Sequence, residues 1–232
     1  MSSSGRYSPN SLKRFISSLN SIRFRDERGE VEFFGQKMVM IRRDAFTLMR
    51  REIAKVAGAA SDIILGLAGR RVGWEEGKVL LTKAESLGLN APESFPEFVR
   101  VAVEETNMGY GKMKLDKLDL TSGVVTVSIL NSFEAEQLET SQKPACVFAL
   151  SYLEGLFSKL LEKEVRGSEG SCKTQGKDLC IFNLEPKPGQ EPKQRFSNQT
   201  TTTTTTLYEF VNPESSSRHN QSLQASQNLK NT

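Results

Sequence analysis

No stretch of the chain approaches the ~18–20 uninterrupted apolar residues that a membrane-spanning helix requires. Residues 1–6 are Met, Ser, Ser, Ser, Gly and Arg, with none of the apolar run of a secretory signal, so the expected location is cytoplasmic. Histidine is almost missing: the one imidazole, His219, stands in a polar terminal stretch, which leaves no folded histidine for proton transfer. A dinucleotide fingerprint of the G-x-G-x-x-G type after a strand is absent too. A marked excess of one charge is also lacking. With a formal net charge of +3, nucleic-acid binding is not indicated, because a dedicated binder concentrates basic charge on one face. Cysteine is scarce. In a reducing compartment Cys146, Cys172 and Cys180 are not a disulfide framework but buried thiols, reactive thiols or metal ligands.

What is present suffices for one domain. Hydrophobic residues make up 37% of the 232, and a core of roughly 150 residues is stable without cross-links. Residues 1–20 are Ser-rich and polar, but Leu12, Phe15, Ile16 and Leu19 stand at helical spacing and predict a short helix. Residues 31–34 and 38–41 are β-prone runs around Gly35, Gln36 and Lys37, the pattern of a hairpin. Asp44 then reads as the N-cap of a helix with Phe46, Met49, Ile53 and Val56 on one stripe. After Gly58 a longer helix is predicted with Ile63, Ile64, Leu67, Ala68 and Val72 turned inward. Gly66, Gly69, Gly73 and Gly77 lie along it; such a row permits close backbone approach to a neighbour or leaves space for something else.

Residues 95–106 predict an amphipathic helix with Phe98, Val101 and Ala102 inward, and residues 112–118 and 123–130 predict two strands. Pro144 opens a helix to about residue 164, and residues 178–184 form a last strand. The fold class is therefore α+β, an antiparallel sheet packed against several helices, with one domain over residues 21–186. Beyond it, residues 187–232 are rich in Pro, Gln, Ser and Asn with threonine throughout 200–206, a composition expected to be disordered. Within this tail Leu207, Tyr208, Phe210 and Val211 form a small apolar island, either a docking motif for a protein partner or a chance cluster. A glycosylation sequon at Asn198 carries no weight without a secretion signal.

One constellation can carry chemistry. If residues 166–172 and 178–184 pair as a hairpin, Cys172 and Cys180 face each other near its base. Folding back on the preceding helix brings Cys146 within range, and Glu169 completes a tetrahedral set. Three thiolates and a carboxylate are too soft a donor set for magnesium or calcium and suit Zn²⁺. Four protein ligands leave no open position, so such a zinc is structural. Its shell carries a formal −2, which helix N–H groups, Lys173, Lys177 or Arg166 would offset. Spacing alone leaves the buried-thiol alternative open.

Resemblance adds to this. From about residue 30 to 184 the chain resembles the 4-vinyl reductase domain family, whose members are akin in fold to subunits of the vesicle-tethering TRAPP complex. The likeness lies in Phe34 to Phe46, in Ile63, Ile64, Leu65, Gly66, Leu67, Ala68 and Gly69, and in Asn131, Ser132, Glu134 and Ala135. It continues through Cys146, the helix of residues 151–158, and Glu169, Cys172 and Cys180. The resemblance implies that these last four positions bind a structural zinc beside an effector pocket, as in sensors of aromatic compounds. Two departures stand out. The phenol-type sensors use a His and a Trp in the pocket, whereas His219 is in the tail and the one Trp, Trp74, lies in the Gly-spaced helix, which argues against phenol itself. Ser151 and Glu154 replace the family's usual Gly and Ala and make that helix face more polar.

The functional expectation is a zinc-stabilised regulatory sensor domain, not an enzyme, that binds a small, mostly apolar ligand and acts as a homodimer. Trp74, Phe98, Tyr110, Tyr152 and Phe157 are candidate pocket residues between the Gly-spaced helix, the Phe98 helix and the last long helix, though each also reads as plain core. Alternatives are a TRAPP-like scaffold and, lowest, a component of tetrapyrrole vinyl reduction. The doublets Arg42-Arg43, Arg50-Arg51 and Arg70-Arg71 read as solvated helix faces rather than a nucleic-acid patch.

Overall fold

The computed structural model describes residues 9–19, 22–106, 108–136 and 138–189. The threonine run, the apolar island, the sequon and His219 lie outside the described residues. In chain order the elements are α1 (Pro9–Leu19), β1 (Ile22–Arg25), β2 (Glu30–Phe33), β3 (Gln36–Met38), α2 (Arg43–Ala57), α3 (Ser61–Ser86) and α4 (Phe95–Glu105). They continue with β4 (Lys112–Leu118), β5 (Val125–Leu130), α5 (Val147–Leu160), β6 (Val165–Ser171) and β7 (Leu179–Pro186). None of the described helices is long and apolar enough to cross a membrane.

Two antiparallel sheets result, a small one in the order β1-β2-β3 and a larger one in the order β4-β5-β7-β6. Alternation in β5 and β7 puts Val125, Val127, Ile129, Cys180, Phe182 and Leu184 on one buried face. Helices α4 and α5 cover that face with Phe98, Val101, Leu153, Phe157 and Leu160, and α1 closes the core through Phe15, whose ring lies 4.5 Å from that of Phe98. The α+β architecture is as the sequence predicts.

Helices α3 and α5 pack in closest contact. A Cβ at Gly69 would lie 2.6 Å from the Phe148 carbonyl oxygen, one at Gly73 1.9 Å from that of Tyr152, and one at Gly155 2.0 Å from that of Arg70. Only glycine allows backbones this close. The contacts climb both helices together, so the two run in the same direction. This settles which face of α3 is inward, and it is not the expected one. Leu65, Gly69, Gly73, Gly77 and Leu80 are buried, whereas Ile63, Ile64, Leu67, Ala68 and Val72 face outward, with Ile63 and Leu67 each 65% exposed. The stripe expected on α2 is likewise open: Phe46 is half-buried, but Met49 is exposed and Val56 is 91% exposed.

Three boundaries also differ. The hairpin turns on Phe34 and Gly35, both with positive φ, so β3 starts at Gln36 and Val39, Met40 and Ile41 lie outside any strand. Asp44 is not the N-cap of α2. Arg42 occupies that position, and Asp44 sits in the first turn beside it, its carboxylate 2.8 Å from the Arg42 guanidinium. Helix α5 begins at Val147 with Cys146 as N-cap, and ends at Leu160 rather than near 164.

Candidate metal centre and adjoining cavity

Cys146, Glu169, Cys172 and Cys180 converge at the amino end of α5, their ligand atoms all within 4.8 Å of one another. The three sulfurs are 3.9 Å (146–172), 3.6 Å (146–180) and 3.8 Å (172–180) apart, and all three thiols are free and buried. A local irregularity makes the set possible. Glu169 and Cys172 are three residues apart, and in a regular strand an odd spacing puts side chains on opposite faces. The register of β6 against β7 shifts between Glu169 and Ser171, leaving Gly170 as an extra residue. This bulge returns Cys172 to the face that carries Glu169. Cys180 reaches the same place from the buried face of β7, opposite Ile129.

The electrostatics call for a cation. Hydrogen bonding to Cys180 and burial raise the Cys146 thiol far above its usual range, burial raises Cys172, and the hydrogen bond from Cys146 lowers Cys180. Several thiolates so close together in a buried site need a positive charge among them. Glu169 accepts a 2.9 Å hydrogen bond from the Cys146 N–H through Oε2, while its buried Oε1 has no protein partner. Further donors surround the sulfurs: the Thr174 hydroxyl to Cys172 at 3.1 Å, the Lys173 N–H to Cys180 at 3.4 Å, and the Ser132 hydroxyl 3.5 Å from Cys146. Arg166, a candidate for offsetting the charge, is spent elsewhere, on Glu164 at 2.9 Å. The ammonium of Lys173 pairs with Glu136.

A second, buried polar group anchors the same helix end. Glu134 accepts from the Phe148 and Ala149 N–H groups at 3.2 and 3.1 Å and so caps α5 from outside the helix. Burial pushes its carboxyl up to about 7, against the pull of those N–H groups and of Arg50. Arg50 donates to Glu134 at 2.8 Å and to the Ala145 carbonyl at 2.9 Å, tying α2 to the cluster. Each arginine doublet turns one member inward in this way. Arg43 binds Glu136 and the Asn131 carbonyl, and Arg70 binds Glu154 at 2.7 Å. Glu154, read from sequence as a polar intrusion, is thus a paired strut whose other oxygen takes the Gly167 N–H.

The residues just after these anchors form an aromatic cluster. Phe46 of α2 meets Phe133 at 4.8 Å and Phe148 at 5.3 Å edge-on, and Tyr110 joins Phe133 at 5.3 Å and Tyr152 at 5.0 Å. Phe46, Tyr110, Phe133 and Phe148, with Phe33 and Met38 of the hairpin, line a cavity of about 500 Å³. Burial, with the nearby Glu76 charge adding to it, pushes the Tyr110 hydroxyl up to about 12.

Of the five pocket residues read from sequence, Tyr110 alone lines this cavity. Tyr152 lies behind it, buried against Tyr110. Phe98 and Phe157 are fully buried core residues, and Trp74 stacks under the Lys159 ammonium at 5.6 Å. The space expected between α3, α4 and α5 is closed by the glycine contacts. Phe46, Phe133 and Phe148 escaped sequence reasoning as pocket residues, because nothing local marks aromatics so far apart in the chain as neighbours. Phe148 had one usable signal, its place two residues after Cys146.

Fold and site together define a mixed helix and antiparallel-sheet domain with a buried Cys₃Glu centre able to hold a metal ion. Residues 125–186, from the start of β5 to the end of β7 and including Glu169, Cys172, Cys180 and Cys146, match the vinyl-4-reductase (4VR) domain, and the family likeness read from the sequence is that of this domain. The phenol-responsive sensory domain of the transcription activator PoxR, solved with phenol, is similar in structure at a TM-score of 0.61 and 19% identity. That match covers 78% of this chain and 92% of that one. A vinyl-4-reductase family protein from Methanocaldococcus jannaschii aligns at TM-score 0.41 and 17% identity, over 81% of this chain and 99% of that one. A trafficking protein particle complex subunit 3 from Naegleria fowleri, covalently bound to palmitic acid, aligns at 0.43 and 12%, over 63% and 96%. No curated protein sequence matches the chain.

Proposed function

We propose that the chain is a zinc-stapled sensor domain that binds a small, mostly apolar molecule and relays its presence to a regulatory partner. The observation that carries this reading is the coupling between centre and cavity. The ligands fix the amino end of α5, and the next turn supplies Phe148 to the cavity wall, with Glu134 and Phe133 clamped beside it.

The donor set fits zinc. A tetrahedral Zn²⁺ with bonds of about 2.3 Å to sulfur has S···S edges of about 3.8 Å, and the three sulfurs lie 3.6–3.9 Å apart. Glu169 Oε1, buried and without a protein partner, is the natural fourth ligand. Zinc bound there by Cys146, Glu169, Cys172 and Cys180 would supply a closed, structural staple and no open position for a substrate. The role proposed is accordingly regulatory rather than enzymatic. Three unpaired thiols suit the reducing cytoplasm.

For relay, the reading uses a second copy of the chain. Leu48, Met49 and Val56 on α2 and Ile63, Ile64 and Leu67 on α3 leave an apolar face open. Charges at its border are paired within the chain, Lys55 with Glu52, Arg50 with Asp62 and Arg71 with Glu75, so two such faces meet without like-charge conflict. Helix α2 carries Phe46 into the cavity and Leu48 and Met49 onto this face, so a ligand that favours one setting of α2 also favours one setting of the dimer.

Metal analysis of protein purified without added zinc, with calorimetric titration of 4-propylphenol, tests the reading. One zinc per chain and one binding event, lost in Met38→Trp, are expected. Protein that is folded and metal-free, or that takes up no apolar probe, defeats it.

A further inference from the structure

The cavity has a polarity that goes beyond an apolar ligand. Among the described residues that line it, the only charged side chains are Arg42 and Arg43, both cationic, and no carboxylate is among them. They follow directly on Val39, Met40 and Ile41, which are exposed at the same mouth. Apolar wall, apolar lip and then two guanidinium groups succeed one another along five consecutive residues.

The two arginines are not equivalent. Arg43 is a strap across the mouth, donating to the Gly109 and Asn131 carbonyls at 3.2 and 3.1 Å and to Glu136. Arg42 has a lighter hold. Its side chain is 80% exposed, and its one ion pair is with Asp44, two residues on and itself half-exposed. Such a solvated pair contributes little, so its guanidinium exchanges partners readily. A cavity of about 500 Å³ is also far larger than one aromatic ring needs and falls within the usual range of ligand sites, roughly 300–1,000 Å³.

We propose that the ligand is an anionic amphiphile, its apolar body among Phe46, Phe133 and Phe148 and its carboxylate or similar oxyanion on Arg42 in place of Asp44. This rests on the ligand-binding reading above and adds the charge and its site. Burial of the body drives binding, as the aromatic lining requires. The head group selects: a planar guanidinium takes a carboxylate through two parallel hydrogen bonds, which an alcohol cannot match. A neutral phenol leaves Arg42 on Asp44 and gains only the apolar part.

The test titrates the full chain by calorimetry with 4-butylbenzoate and with its uncharged counterpart 4-butylbenzyl alcohol. The carboxylate is expected to bind about fivefold more tightly, in keeping with a partly exposed ion pair. Arg42→Gln, which touches no buried group, should bring the two affinities together by weakening the carboxylate alone. Asp44→Asn removes the competitor and should widen the gap by about twofold. Met38→Trp should block both probes. Equal affinities in the native chain, with both probes still blocked by Met38→Trp, overturn the anionic head and leave the apolar pocket standing. Binding of neither probe overturns both. A last arm separates a free amphiphile from a lipid surface by co-sedimentation with phosphatidylserine–phosphatidylcholine vesicles. Capture that Arg42→Gln abolishes and Met38→Trp leaves intact would make the basic lip a membrane contact and refute the ligand assignment, whereas absence of capture supports it.

Discussion

Helices α3 and α5 with the four-stranded sheet, and the layer made by α2 with the β1–β3 sheet, share the aromatic cluster as a border but are built on opposite terms. In the first region backbones touch through glycine, carboxylates are buried only with partners, and the cysteines close one end. In the second, only Thr47 of α2 and Phe33 of the three strands are buried, and apolar side chains face outward. A dry, over-determined half has few conformations; a half-open layer held by Arg43 and Arg50 has several of similar free energy. A sensor needs both, a frame that stays put and a layer whose setting a ligand can bias.

The contrast can be broken most forcefully at the cysteines. Chelation of the metal, or Cys172→Ser, should cost more than about 4 kcal/mol, because the energy of binding a structural zinc is folding energy. Denaturant unfolding with and without chelator measures this, and an unchanged midpoint would show the frame to be independent of the cluster. Next comes the helix contact. Gly73→Ala puts a methyl 1.9 Å from the Tyr152 carbonyl oxygen, in backbone that cannot yield, and should cost about 3 kcal/mol. Gly66→Ala, nearer the start of the same helix, meets only the Ser151 hydroxyl at 3.2 Å and the Val147 side chain at 3.9 Å, and should stay within about 1 kcal/mol of the parent. Thermal melts of the two variants that coincide would contradict the packing described.

At the border between the regions stands Glu134. With its folded pKa pushed up to about 7 from an ordinary 4.5, the folded state binds more protons than the unfolded one between those values. Its contribution is therefore fully present below about pH 4.5 and is lost as pH rises through 7, an effect of up to about 3 kcal/mol. Glu134→Gln should flatten this part of the stability profile between pH 5 and 7.5. A profile of unchanged slope would mean that Arg50 and the α5 N–H groups keep the carboxylate ionised throughout.

The frame was more legible than the layer, for a physical reason. Strand alternation, the amphipathic α4 and the Glu169, Cys172 and Cys180 spacing are local patterns or match a family pattern, and they lead to the sheet and the metal centre. The inward face of α3 was misread because hydrophobicity is a poor guide where glycine makes the contact: Ile63 and Leu67 are the more apolar choice, yet backbone approach at Gly69 and Gly73 decides the rotation. The pocket was misplaced by the same error, since a glycine row that could have left space is filled by α5. The bulge at Gly170 and the cap by Glu134 depend on pairings across the fold that no window of sequence contains.

The smallest expected effect on folding is also the sharpest test of what the open layer is for. Val56→Asp with Leu67→Asp places two charges on side chains already 91% and 65% exposed. Nothing is buried or left unpaired in the single chain, so its stability should move by no more than about 0.5 kcal/mol. In a symmetric dimer through α2 and α3 the same change brings like charges together at an interface from which water is excluded, twice over, and the cost there is several-fold larger. Sedimentation equilibrium should therefore find the parent dimeric and the double variant monomeric, with indistinguishable unfolding of the separated chains. If the parent is already monomeric at micromolar concentration, the apolar face serves another partner and the second copy is excluded. If instead the variant unfolds far more easily as a monomer, the layer is packed more tightly than its exposure shows, and the contrast between the two halves of the molecule fails.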